Sequence, residues 1–417
     1  MHKKMFVSAL SLLLLIPFGL SAHPKMYFAH PYQFDTRFER KGLITVDSWI
    51  AHGNTTKGQN SLSKTTNVLN IYGSEKMHQI GKNVVGQGLG ATNKTVLTTL
   101  WRNTPTSNDE NYGTLQFSGK CNYTGGAVSF GFNITDELFF GCELPFYKLD
   151  IKDITFIDKT ATVDQDAEWN QFYVLFDSIL SDVGLSRLGI KKSGIGDISI
   201  YTGWTRSTED LENLEFLDAT LKFGVLLGTA AEKNEDFAFS VAPGYDKHNG
   251  VFISFDTAIG ITENASFGFH LNELFLLKKS KTMRVKTALG QNGFIKLAKT
   301  KVERDMGNLY DIGGHFKLEY GRAAFYTGYT YAHQGGTSLT SQDSKLYPGS
   351  ILNTDEMLKD WSMHTLNLGA ELDFSNDETQ RIHPKCGICY NHVLRARRAF
   401  LNDTVAGSIG FSITFEF

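Results

Sequence analysis

The residues best suited to chemistry in this chain are two cysteines and a row of inward-alternating charges. Cys386-Gly387-Ile388-Cys389 is the one C-x-x-C spacing. Such a pair binds zinc when a second pair follows at metal spacing, and exchanges thiols when a βαβ redox fold surrounds it. Neither context is present. In an exported chain the same spacing serves as a structural disulfide, so a Cys386–Cys389 bond in a turn after Asp377 is expected. Cys121 and Cys142 fall on apolar strand faces, where packed thiols are the default. No metal and no cofactor is implied.

His315 shares a strand face with Lys317 and Glu319, and His364 and His392 lie near strand ends. Nucleophilic hydrolysis needs a serine, a histidine and an acid brought together. No G-x-S-x-G occurs, and no spacing forces that triad. A lone inward histidine is usually a hydrogen-bonded wall residue, so the chain is read as no enzyme, with a lumen-rim hydrolase as a distant alternative. The broader pattern is charge of both signs on one set of faces. Glu143, Asp197, Asp218, Asp256, Glu319, Glu371 and Asp373 oppose Lys120, Lys222, Lys317, Arg395 and Arg397. Across a narrow water-filled bore they would impose a transverse field that orders water and filters solutes. The alternative is that these salt bridges hold a filled wall together.

The elements that position these residues alternate with period two, as strands do. Tyr310 to Tyr320 sets Tyr310, Ile312, Phe316 and Leu318 against Asp311, Gly313, His315 and Lys317. Thr404 to Phe417 sets Val405, Ile409, Phe411, Ile413, Phe415 and Phe417 against small and polar residues. So apolar a face on an edge strand invites pairing with another molecule, whereas a barrel in lipid needs it. Further segments follow the rule: 112–122, 126–134, 138–149, 196–204, 217–227, 251–261, 265–271, 323–332, 361–374 and 387–397.

Turns at Thr135-Asp136-Glu137, Thr262-Glu263-Asn264 and Gly321-Arg322 are short, and the intervening connections are long. Twelve strands follow from Tyr112 onward. A hairpin of Leu43–His52 and Asn67–Tyr72 makes about fourteen. The expected fold is therefore all-β, an antiparallel transmembrane β-barrel of about 14 strands with 12 as the alternative, and with both ends on the short-turn side.

Composition agrees. Aromatics are 12%, glycines 40, prolines 8 and charged residues 20%, too polar for a helical membrane protein and too apolar for disorder. A formal net charge of -3 without a basic run argues against nucleic acid. Met1 to Ala22 carries Lys3 and Lys4, an apolar run and Ser21-Ala22, the pattern of a cleaved secretory signal. The expected division is a signal peptide over 1–22 and a barrel over 23–417.

Two segments stand outside the ladder. Residues 73–111, rich in Gly, Asn and Thr, leave the short-turn end if the first hairpin is right. They are then either a plug or hatch in the lumen or an ordinary long connection. Ala167 to Leu185 spaces Trp169, Phe172, Phe176, Ile179, Leu180 and Val183 at helical intervals, which predicts a short amphipathic helix at the external mouth or against its rim.

The secretory start, the alternating strands, the turn at Asn133 to Leu138 and the terminal aromatic resemble a Gram-negative outer-membrane β-barrel of porin type. The stretches Gly194 to Ser199 and Glu143 to Phe146 are similar to the fatty-acid and aromatic-compound uptake barrels, including the phenol-degradation pathway family. The resemblance implies the cell outer membrane, a lipid bilayer around the barrel, and barrel-assembly machinery that reads Phe411, Phe415 and Phe417. It implies a monomeric or trimeric pore for small-molecule solutes. The alternatives are an importer of hydrophobic small molecules with a luminal hatch, and a structural or adhesion barrel.

Overall fold

Side-chain alternation builds twelve long strands that close into a ring. The computed structural model describes residues 42–82, 84, 87–102, 112–160, 165–211, 214–375 and 382–414. The ring runs β1 (Leu43–Thr55), β2 (Thr114–Asn133), β3 (Leu138–Asp158), β4 (Ile198–Leu211), β5 (Leu214–Leu227) and β6 (Gly250–Thr262). It continues through β7 (Ala265–Leu276), β8 (Leu309–Tyr320), β9 (Ala323–Gln334), β10 (Trp361–Asp373), β11 (Ile382–Arg397) and β12 (Thr404–Thr414). Each strand pairs antiparallel with its sequence neighbour, and β12 returns to β1, with Trp49 opposite Ser408. Two short strands, Glu75–Lys76 beside β2 and Ile190–Ile195 beside β3, are bonded to the ring and bring its sheet to fourteen.

Two differences separate this ring from fourteen barrel strands. Tyr123-Thr124-Gly125 is no turn: it pairs with Gly53, His52 and Ala51, so 112–122 and 126–134 are one strand. Asn67–Tyr72 is no strand either. The Asn67 side chain accepts from Leu69 N at 3.0 Å and caps a 3₁₀ turn over Val68–Asn70, a local hydrogen bond that competes with ladder formation.

Along the outside, Phe130, Phe140, Phe223, Phe267, Phe325, Leu368, Ile388, Ile409 and Phe411 are exposed, forming an apolar belt. A belt of this kind buries itself in lipid, where an exposed strand edge could not survive. The expected signal segment 1–22, Phe415 and Phe417 lie outside the described residues.

The long-loop end is closed. Residues 68–82 and 87–102 lie across it, and the segment leaves from the top of β1 at this end rather than from the short-turn end as expected. Val68, Leu69, Ile71, Tyr72, Met77 and Ile80 are buried with Phe117, Phe172, Phe239 and Phe294 in one apolar cluster. Two helices support it: α1 (Ala91–Arg102) and α2 (Ala167–Asp182).

The second is the amphipathic helix read from the sequence. Asp166 caps it by accepting from Trp169 N at 2.7 Å. Gly184, at φ 62°, ends it, with Leu185 N returning to Leu180 O. Its buried Trp169, Phe172, Phe176, Ile179 and Leu180 face the cap.

Candidate functional site: the inner wall and its cap

The inner faces of the strands carry a belt of polar side chains bonded from strand to strand. Lys222 on β5 meets Asp256 on β6 at 3.0 Å. Ser254 donates to Asn272 on β7 at 2.6 Å, and Asn272 to Asp311 on β8 at 2.5 Å. Further round the ring, Thr330 of β9, Asn367 of β10, Asn391 of β11 and Thr404 of β12 follow at 3.1, 2.9 and 3.1 Å. Such chains arise because consecutive strands place inward polar residues at neighbouring register positions, and a polar group kept from water must find a partner.

Solvent barely enters this level. Asp311 and Asn367 are 0% exposed and Asn391 1%. Rings fill the remaining space by lying over glycines: His315 packs against Gly268 and Gly328, and Tyr326 against Gly369. The middle of the bore therefore holds side chains and not a wide water column. Lys222, in register with Ser254, keeps 25% of its side chain exposed.

The charges singled out in the sequence divide in their placement. Asp218 accepts from Ser207 Oγ at 2.6 Å on the inner wall. Lys317 and Glu319 pair at 2.7 Å, and Glu371 pairs with Lys385 at 3.6 Å. Glu143 shares the inner face of β3 with buried Tyr147. Asp373, at the foot of β10, accepts from Ser375 N at 2.8 Å. Asp197 stands at the top of β4, where it accepts from Ala230 N at 2.8 Å and Tyr245 N at 2.6 Å and ties two long loops together.

Three of these charges do not line the bore. Lys120 is on the outer face of β2, opposite Lys152, because the inward parity of this unbroken strand falls on Gly119 and Cys121. Arg395 and Arg397 are exposed and stand opposite His364 and Ser362. A bulge between His364 and Thr365 shifts the register and reverses the parity of β11's last residues. Arg397 instead pairs with Asp360 at 3.0 Å outside the wall.

Cys386 and Cys389 are free thiols. Both lie inside β11, not in a turn, and residues three apart in a strand point to opposite faces, beyond disulfide reach.

His270, Asn272, Asp311, Thr330, Asn367 and Asn391 escaped selection as wall residues. Asp311, Asn367 and Asn391 are in phase with residues assigned inward on the same strands, whereas β7 and β9, which carry His270, Asn272 and Thr330, had no inward residue assigned.

Cap and loops add further buried acids, Glu75 and Asp246 among them. Glu75 accepts from Phe294 N and, at 3.1 Å, from Ile295 N. Burial pushes its carboxyl up to about 8. Asp246 is also buried, which by itself would raise it, but Arg304 at 2.6 Å and Lys281 at 2.8 Å hold it well below the usual carboxylate range. Among the described residues no cluster of three metal-ligating side chains occurs.

No family model and no curated protein matches the chain. Solved structures do. An outer membrane channel from Pseudomonas putida F1 is similar at a TM-score of 0.50 and 9% identity, covering 93% of this chain and 100% of that one. A FadL homologue from Pseudomonas aeruginosa aligns at a TM-score of 0.31 and 9% identity over 90% of each chain. The TodX deltaS2S3 mutant, a monoaromatic hydrocarbon channel, aligns at 0.39 and 9% identity over 96% and 97%. The fold of this chain is that of the outer-membrane β-barrels.

Proposed function

We propose that this chain is an outer-membrane channel for small solutes, narrow in its middle and stopped at its external mouth by residues 68–82 and 87–102. The observation that carries this reading is the inner wall itself. A purely structural barrel gains most by filling its centre with apolar side chains, because a buried polar network contributes little net stability and is costly wherever incomplete. This wall instead keeps Lys222, Asp256, Asn272, Asp311, Asn367 and Asn391 in paired arrays. A polar path suits the passage of hydrated or hydrogen-bonding solutes. The Pseudomonas putida neighbour, described as an outer membrane channel, supports the same reading.

Single-channel recording in planar bilayers tests it. Wild type is expected to show small, brief openings, and Glu75→Lys, which places a cation against Lys296 beneath the cap, is expected to lengthen them. Silent bilayers with both proteins, each inserted and folded by gel mobility, overturn the reading.

A further inference from the structure

Three long loops and two strand tips enclose a cavity of about 90 Å³ at the external mouth. Its wall draws on 228–249, 277–308 and 335–360, and its floor includes Gln334 at the end of β9 and Trp361 at the start of β10. We propose that this cavity binds a compact organic monoanion, a carboxylate on an apolar body of about one ring.

Charge is the first ground. Lys233, Arg284, Lys296, Arg304 and Lys359 line the cavity, against Asp246 and Asp355 alone. The two carboxylates are already engaged. Asp246 is held by Lys281 and Arg304, and Asp355 by Lys296 at 2.6 Å. Lys281 and Glu235, just behind the wall, add one charge of each sign; Glu235 pairs with Lys233 at 3.4 Å, and the excess falls on Arg284 and Lys359.

Arg284 is buried, and its guanidinium is hydrogen-bonded to backbone carbonyls, including Leu297 O at 2.7 Å and Val183 O at 2.7 Å. Carbonyls satisfy its donors, and nearby Glu235 and Asp236 offset its charge only in part. Lys359, exposed to solvent at the rim, donates to Asn353 O at 2.9 Å. The positive charge that remains on buried Arg284 is costly, and an anion entering the cavity would relieve it.

The second ground is an open valence. Arg304 Nε is buried and has no hydrogen-bond partner among the described residues. The other side of this guanidinium, Nη1, is fixed on Asp246 at 2.6 Å. This nitrogen is covered as the side chain stands, so a carboxylate oxygen reaches it only when the Arg304 side chain turns toward the cavity.

The third ground is the apolar part of the lining. Met283, Met306 and Met357 share the wall with Trp361. Methionine is flexible and polarizable, and adapts to a flat or branched apolar group. An engineered cavity of about 150 Å³ holds a benzene ring, more than the about 90 Å³ here, so a single ring enters only as the three methionines give way, and a long acyl chain does not fit. The inference rests on the channel reading only in placing the cavity on the solute's path.

Titration calorimetry on the folded full-length protein in nonionic detergent tests binding apart from transport, with benzoate as the probe. Benzoate is expected to bind saturably with one site per chain, benzyl alcohol at least ten-fold more weakly, and excess chloride is expected not to displace benzoate. Arg304→Gln should weaken benzoate at least ten-fold while leaving benzyl alcohol unchanged, and Met357→Trp, which fills the cavity, should abolish both. Equal affinity for benzoate and benzyl alcohol in the wild type overturns the anion site, as does displacement by chloride. Benzoate binding that survives Met357→Trp unchanged overturns the location. The ligand comparison needs no variant, so it stands even where Arg304→Gln fails to fold. Failure of binding with conductance intact removes this site alone, and silent bilayers with binding intact remove the channel alone.

Discussion

Glu75 and Ile295 lie 220 positions apart in sequence and meet at 3.1 Å, the carboxyl of the cap accepting from the backbone N–H of a distant loop. This contact latches the crossing segment onto the loops above the bore. Because the folded protein holds Glu75 at about 8 against an ordinary 4.5, the folded state binds the extra proton between these values. The stability contributed by this group is full below pH 4.5 and is lost as pH rises through 8, with a limiting slope of about 1.4 kcal/mol per pH unit. Thermal unfolding from pH 5 to 8 is expected to show a steeper decline in wild type than in Glu75→Gln. Identical slopes would exclude the latch as a titrating element.

Gly293 faces the same carboxyl. Its φ of 78° is left-handed, and a Cβ there would run into Glu75. Gly184, at φ 62°, has nothing within 4 Å of the equivalent position. Gly184→Ala is expected to cost only the backbone strain, about 1 kcal/mol. Gly293→Ala should cost clearly more and flatten the pH slope with it. Equal losses in unfolding midpoints would contradict this account.

Asn367 bridges Thr330 at 3.1 Å and Asn391 at 2.9 Å with no solvent exposure. Asn367→Ala strands a buried partner on each side and is expected to destabilise the barrel by roughly 1–3 kcal/mol. Urea unfolding in micelles measures it. A change within a few tenths of a kilocalorie would mean that water replaces the amide, and that the bore is wetter than its burial indicates.

All four cysteines are free among the described residues. Denatured protein prepared without reductant should react with thiol reagent at four positions per chain, and reductant should leave the unfolding midpoint unchanged. Two reactive thiols in place of four would restore the Cys386–Cys389 bond.

Strand β8 was legible in full, because its apolar and polar residues alternate without interruption. Strand β2 was not. Beside the cap its inward residues Leu115, Phe117 and Cys121 are themselves apolar and buried, so the rule that apolar means outward assigned Lys120 to the wrong side. Alternation reports which residues share a face, not what that face touches. Arg395 and Arg397 failed for another reason: one bulge inverts parity, and nothing in the local pattern marks it. The polar belt was half legible, since its charged members drew notice while its asparagines, equally inward, carried no charge to flag them.

The seam between β1 and β12, where Trp49 stands opposite Ser408, bears on how the ring assembles. Hairpins such as β8–β9 can zip locally, yet no partial set of strands forms a cylinder. Until Thr404–Thr414 docks, β1 and β11 each present an unpaired ladder to any passing chain. Closure is thus the final and longest-range step, and a molecule arrested before it would be prone to join its neighbours edge to edge.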